Sequence, residues 1–187
     1  MRMTSGAGHA SGEGGGWIIR PAVLADAVRL VAIYNHYIQH TTVTFEEQPL
    51  AETEMAVRLQ KVADAGLPWL VAERQADILA YAYASPWRER SAYRHSVEVS
   101  AYVAPAWRRQ GLGLLLYSEL LVELRGRGRH CAIGVIPLPN PASVAMHEKL
   151  GFARVALLPE VGFKFGRWID VGYWQRLLPE ASEPPFR

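Results

Sequence analysis

Apolar residues recur at helical spacing at Ala27, Leu30, Val31, Tyr34 and Ile38, and this predicts an amphipathic helix beyond Pro21. A second helix is predicted from Glu52 to Ala65, with Met55, Leu59 and Val62 on one face and Gly66 as its stop. Leu112, Leu115, Leu116 and Leu120 mark a third helix, Leu112 to Leu124, and Pro141 to Leu150 reads as a fourth, ended by Gly151. Between these lie short apolar or alternating runs that read as strands: Trp17 to Arg20, Trp69 to Glu73, Ile78 to Tyr83, Ser96 to Val103, Cys131 to Ile136, Arg154 to Leu157 and Ile169 to Leu177. Gln75, Ala76 and Asp77 make a hairpin turn between the second and third. Thr41 to Pro49 and Pro86 to Arg94 are loops. Strands and helices are mixed and several strand pairs are hairpins, so the class is α+β (mixed α/β).

Length changes the picture only by limiting it: 187 residues suit one domain. Residues 1–16 are rich in Gly, Ser and Ala without periodicity and read as a flexible extension. The segment 179–187 reads as a flexible tail, which leaves 17–178 as the folded domain. Half of the residues are hydrophobic and a fifth charged, as in a globular protein with a real core. A formal net charge of +2 supplies no global field for nucleic acid. No apolar run approaches the roughly 20 residues needed to cross a bilayer, and the N-terminus has no secretory h-region. The single cysteine, Cys131, sits in an apolar strand and reads as a small core residue; with no disulfide possible within the chain, a cytoplasmic setting is the simple expectation. His36 and His40 are the one close histidine pair at helical spacing, with no Cys or carboxylate cluster nearby, so no metal is expected. Arg125 to His130 reads as charge complementing a helix C-terminus.

The most informative arrangement is a strand, then Arg108-Arg109-Gln110-Gly111-Leu112-Gly113-Leu114, then a helix. Glycines let the backbone approach a ligand. The first N–H groups of the helix lack internal partners, and the helix dipole and two arginines add positive potential, so a pyrophosphate suits the place. A dinucleotide fingerprint needs a third glycine where Leu116 stands, and no Gly-Lys-Ser/Thr follows for a P-loop.

Val103 to Gly113 closely resembles the acetyl-CoA loop of the GNAT N-acetyltransferases. Asn140-Pro141-Ala142-Ser143 and His147 to Phe152 resemble that family's second cofactor segment. Asn35, Thr44-Phe45-Glu46-Glu47, Tyr93 to Glu98 and Lys164 to Asp170 are similar to the phosphinothricin and methionine sulfoximine (or sulfone) acetyltransferase branch. The resemblance covers almost all of 17–178. It implies a GNAT fold, with a central twisted sheet split by acetyl-CoA as cosubstrate, a small-molecule amine acceptor and a homodimer.

Acetyl transfer to an amine requires removal of a proton, stabilisation of an oxyanion and departure of a thiolate. Glu98, flanked by Val97 and Val99, is the candidate base; the strand alone reads equally as an exposed or ion-paired Glu, and the resemblance adds the catalytic role. The resemblance also implies that backbone groups of Ala101, Tyr102 and Val103 bind the pantetheine arm and the oxyanion, with Asn140 and Ser143 on the second segment. His147 stands where many of these enzymes have a Tyr, and reads either as the acid for the thiolate or as a packed residue. Arg88, Arg90, Tyr93 and Arg94 crowd one loop before Glu98. Guanidinium groups recognise carboxylate or phosphinate in pairs, which suits an amino-acid-like acceptor, although a solvated loop is the plain alternative. Phe45 supplies an apolar wall, and Lys164 and Arg167 close the pocket of their own or a partner subunit. The expected reaction is direct acetyl transfer in a ternary complex. Alternatives are another amine, such as a protein N-terminus or a polyamine, and a non-catalytic acetyl-CoA sensor.

Overall fold

The computed structural model describes residues 16–178. The expected tail, and the extension up to residue 15, lie outside these. The chain runs β1 (Ile18–Pro21), α1 (Ala27–His40), α2 (Glu52–Asp64), β2 (Trp69–Arg74), β3 (Asp77–Pro86), β4 (Ser96–Val103), α3 (Leu112–Gly126), β5 (Cys131–Pro137), α4 (Pro141–Lys149), β6 (Ala153–Lys164) and β7 (Arg167–Leu177). Short 3₁₀ turns occur at Leu24–Asp26, Ser91–Tyr93 and Pro105–Trp107. The seven strands form one mixed sheet in the order β1-β2-β3-β4-β5-β7-β6, so the α+β expectation is borne out.

Side-chain alternation explains how the layers are distributed. On β3, Tyr81 and Tyr83 share a face with Tyr102 of β4, and this face meets α1: the Tyr34 and Tyr37 rings lie 5.0 and 5.2 Å from Tyr102. Ala80, Ala82 and Ala84 fill the opposite face, where small side chains admit α3 closely. Leu112, Leu116, Leu120 and Leu124 of α3 are all at most 1% exposed. Full burial of each such leucine contributes about 1.5–3 kcal/mol.

All pairings are antiparallel except β4 with β5, which is parallel. That parallel pairing covers Ser96, Val97 and Glu98 against Cys131, Ala132 and Ile133, and goes no further. Beyond it β4 continues beside β3 and β5 beside β7, so the sheet opens as a wedge whose apex is Glu98.

The sequence underestimates β6, which continues past Leu157 to Lys164. Pro159 and Gly162 break the alternation there, and the pairing register shifts between Leu158 and Gly162. Glu160 takes a positive φ of 51°, and its N–H donates to Asp170 Oδ1 at 2.9 Å. A bulge thus carries the strand across a stretch that looks like its end. Among the described residues, no helix is long and apolar enough to cross a membrane, and no group of three or more His, Cys, Asp or Glu could hold a metal ion.

Candidate active site

Backbone direction on β4 decides what the wedge offers. Ala104 N donates to Leu79 O, so even-numbered backbone groups face β3 and odd-numbered ones face the wedge. Two phenols occupy part of this edge. Tyr117 OH of α3 lies 3.0 Å from Val99 O. Tyr37 OH of α1 donates to Val103 O at 2.7 Å and accepts from Val103 N at 3.3 Å. Ala101 between them is left with its N–H and C=O turned to the wedge, without a partner among the described residues. Of the three expected backbone positions, Ala101 is therefore the open one. Val103 is already taken by Tyr37, and Tyr102 turns its backbone to β3 and its ring to α1.

A narrow cleft of about 50 Å³ follows this edge, bounded by Val99 to Tyr102 on one side, Val135 to Pro137 on the other, and Tyr117, Asn140, Ser143 and His147 behind. Asn140 caps α4: its Oδ1 accepts from Ser143 N at 3.2 Å, with Pro141 at the first helical position. His147 is 4% exposed, and both ring nitrogens have partners: Nδ1 is 2.8 Å from Ser143 O and Nε2 is 2.7 Å from Tyr117 OH. A carbonyl only accepts, so Nδ1 carries the proton and Nε2 of the neutral ring accepts from Tyr117. The one phenolic proton is then shared between His147 Nε2 and Val99 O. Burial lowers the His147 pKa, which favours the neutral ring, and the carbonyl of Ser143 opposes this. Burial, then the charge of Glu98, pushes the Tyr117 phenol well above its usual value, so it stays protonated. Gly134 makes the arrangement possible: a Cβ there would lie 2.3 Å from His147 Nε2.

The turn into α3 has the form of an anion nest. Arg109 (φ 62°) and Gly111 (φ 81°) both adopt left-handed conformations, and no side chain caps the helix. Leu112 is buried and anchors the first turn, and the N–H groups of Leu112, Gly113 and Leu114 remain available to a ligand. Gln110 Nε2 reaches back to Ala106 O at 3.4 Å. The Arg108 guanidinium lies 4.9 Å from the Tyr37 ring, at the same mouth of the wedge. The two glycines differ: Gly111 is needed for its φ, whereas a Cβ at Gly113 would make ordinary contacts at 3.5 Å with Met146 and Val103.

Glu98 lies on the face opposite Tyr117, the face of Tyr83 and Ser100. Burial raises its pKa, and the charge of Arg88 pulls the other way. Arg88 stacks on Trp87 at 4.3 Å, and both line a cavity of about 620 Å³ with Arg90 and Tyr93. Arg94 is not brought to this cavity. It lines a neighbouring one of about 440 Å³ with Leu67, Val97 and Arg129, and its carbonyl accepts from Arg129. Arg167 and Phe165 face a third cavity, about 350 Å³, beside His40 to Val43 and Asn140. Lys164 is 1% exposed, and its Nζ donates to Thr44 O of its own chain at 2.8 Å, so it reaches the site through the loop that carries Phe45. Tyr117, Tyr37 and Gly134 escape the sequence reading. A phenol within the leucine stripe of α3 and a glycine inside a strand are the signals that mark two of them.

A sheet opened between two parallel strands, with an uncapped helix at its mouth, defines an acyl-CoA-binding fold. The chain belongs to the acetyltransferase (GNAT) family, which it matches over residues 30–152. It is 42% identical over 167 residues to the phosphinothricin N-acetyltransferase of Streptomyces viridochromogenes, across 89% of this chain and 90% of that one. It is 36% identical over 166 residues to an L-methionine sulfoximine/L-methionine sulfone acetyltransferase of Salmonella typhimurium, across 89% and 97%. Among solved structures, a phosphinothricin acetyltransferase from Sinorhizobium meliloti in complex with acetyl-CoA superposes with a TM-score of 0.86 at 37% identity, covering 92% of this chain and 94% of that one. The protein is an acetyl-CoA-dependent N-acetyltransferase.

Proposed function

We propose that this enzyme transfers the acetyl group directly to the α-amine of a small amino acid analogue of the phosphinothricin, methionine sulfoximine or methionine sulfone kind, in a ternary complex. The observation that carries this reading is the half-buried Glu98 at the wedge apex, electrostatically coupled to Arg88 beside a roomy cavity. The names of the relatives at 36–42% identity support it.

In this reading the turn Arg108 to Leu114 holds the donor's phosphates, and Ala101 takes its arm through its C=O, with Asn140 and Ser143 on the far wall. Acetyl-CoA supplies the activated acyl group. Glu98 removes the proton from the acceptor's ammonium, and its raised pKa makes it a stronger base than a solvated glutamate. Ala101 N–H is a backbone donor free for the developing oxyanion. The Tyr117 hydroxyl provides the proton on the leaving-group side, and His147 holds it in place through Nε2 and takes the acid role at one remove. Arg88, with Tyr93, binds the acceptor's carboxylate, and Phe45 walls its side chain. Arg94 and Arg167 frame the approach to the site.

The catalytic domain is residues 17–178, acting as a cytoplasmic homodimer. The β6–β7 hairpin supports the dimer: Val155, Val161 and Phe163 on the edge strand β6, Phe165 in the turn and Trp168 on β7 are each more than half exposed. Neither nucleic acid nor a membrane enters this reading. A thiol-release assay tests it, with amino acid analogues set against the same amines lacking the carboxylate. Analogues should turn over much faster. Equal rates would sink the role of Arg88, and no turnover on any amine would leave only a binding protein.

A further inference from the structure

The loop between α1 and α2 is fastened to two separate parts of the molecule. On its own side, Tyr34 OH lies 2.8 Å from Thr44 Oγ1 and donates to Glu46 Oε1 at 3.0 Å. Arg58 of α2 pairs with both oxygens of Glu46, at 2.7 and 3.1 Å. The second attachment comes from β6, more than a hundred residues on. Lys164 Nζ donates to Thr44 O at 2.8 Å. Two residues earlier, on the same face of the strand, Gly162 meets the edge of the Phe45 ring. A Cβ on Gly162 would lie 2.3, 2.5 and 2.9 Å from three ring carbons, so any side chain there displaces the ring.

These contacts point at the wedge. Val43, next to the clamped residues, lines the same cleft as Ala101, Tyr117 and His147. Phe45 is seated against Gly162 yet 38% exposed, as a wall that is fixed behind and open in front must be. The cost of the clamp argues for a purpose. The Lys164 side chain is 1% exposed and its ammonium donates to a neutral carbonyl rather than to a carboxylate, and burial lowers its pKa against the pull of Glu47 and Glu46. A loop needing only to be tethered has cheaper means.

We propose that Gly162 and Lys164 are positioning residues that set the acceptor specificity of this enzyme, by fixing where Phe45 and Val43 stand over the cleft. The inference rests on the reading of Phe45 as an acceptor wall. Gly162 acts by having no side chain: its bare backbone lets the ring sit back, and this sets the width left for the acceptor's side chain. Lys164 holds the backbone at Thr44, so that the ring cannot follow a ligand outward.

Gly162→Ala and Lys164→Met test this in the full chain. With the amine that the wild-type enzyme turns over best, Gly162→Ala should raise the acceptor KM by about tenfold, with KM for acetyl-CoA and the melting temperature nearly unchanged. Shortening the ring in the Gly162→Ala, Phe45→Leu double variant should recover most of that loss. Lys164→Met should speed hydrogen exchange at the Thr44 to Glu46 amides without speeding it in α3. The proposal is overturned if the acceptor KM stays put, if KM for acetyl-CoA moves equally, or if the double variant fails to recover. Unchanged exchange at Thr44 to Glu46 removes the clamp itself. That readout needs no acceptor, so it separates failure of the clamp from failure of the amino acid reading.

Discussion

At Glu98, a carboxyl held away from water has to lose its proton before it can take one from a substrate. Its folded-state pKa is raised by burial, so the folded protein favours the protonated form. The stability this contributes is full below the ordinary carboxylate range and is lost as pH rises through the folded value. At neutral pH an ionised Glu98 is therefore a burden to the fold and, in the proposed mechanism, the form that the reaction uses. Glu98→Gln should lower kcat by roughly 10²–10⁴-fold while sparing acetyl-CoA binding, and should raise the melting temperature at pH 7. A thiol-release assay and a thermal melt on the same preparation check both halves. His147 has the opposite sign. Burial lowers its folded pKa below the ordinary 6.5, so its contribution is present above that pH and lost as pH falls from there through the folded value. Thermal melts across that range should show a steeper acid-side decline in the wild type than in His147→Gln.

Among the elements, the turn into α3 separates two glycines that the sequence presents as equals. Gly111→Ala forces a Cβ into a left-handed residue at a cost of about 1–2 kcal/mol, and should raise KM for acetyl-CoA by roughly 5- to 30-fold. Gly113→Ala, whose Cβ meets only ordinary contacts, should raise it much less, as steady-state kinetics on the pair will decide. Helices and strands were legible because their periods are local: Leu112 to Leu124 and Ser96 to Val103 declare themselves within a few residues. The donor turn was legible for the same reason. The Arg-rich loop was legible as composition but not as geometry, since Arg88 lines both neighbouring cavities whereas Arg94, six residues on, lines only the second. What stayed hidden depends on long-range pairing. Tyr117 meets His147 across 30 residues, Tyr37 meets Val103 across 66 and Lys164 meets Thr44 across 120. No local period carries such contacts, so neither the partner of Lys164 nor the pairing of Tyr117 with His147 shows in the sequence.

For the molecule as a whole, the proposed dimer is tested at the exposed apolar residues of β6. Val161 and Phe163 are 56% and 53% exposed. Replacing both with Asp should leave the fold intact by circular dichroism and halve the mass by light scattering. A wild-type protein that already elutes as a monomer would remove the homodimer from the reading. Within the chain, β4 ends its parallel partnership after Glu98 and runs on with no strand beside that edge. In the reading proposed above, the donor takes the place of a missing strand. The sheet is one strand short along this edge, and in that reading the amide and carbonyl of Ala101 find their partner in the donor. Donor binding and folding are then linked: a donor that pairs with this edge adds to the stability of the sheet it joins, so the saturated enzyme is the more firmly folded one.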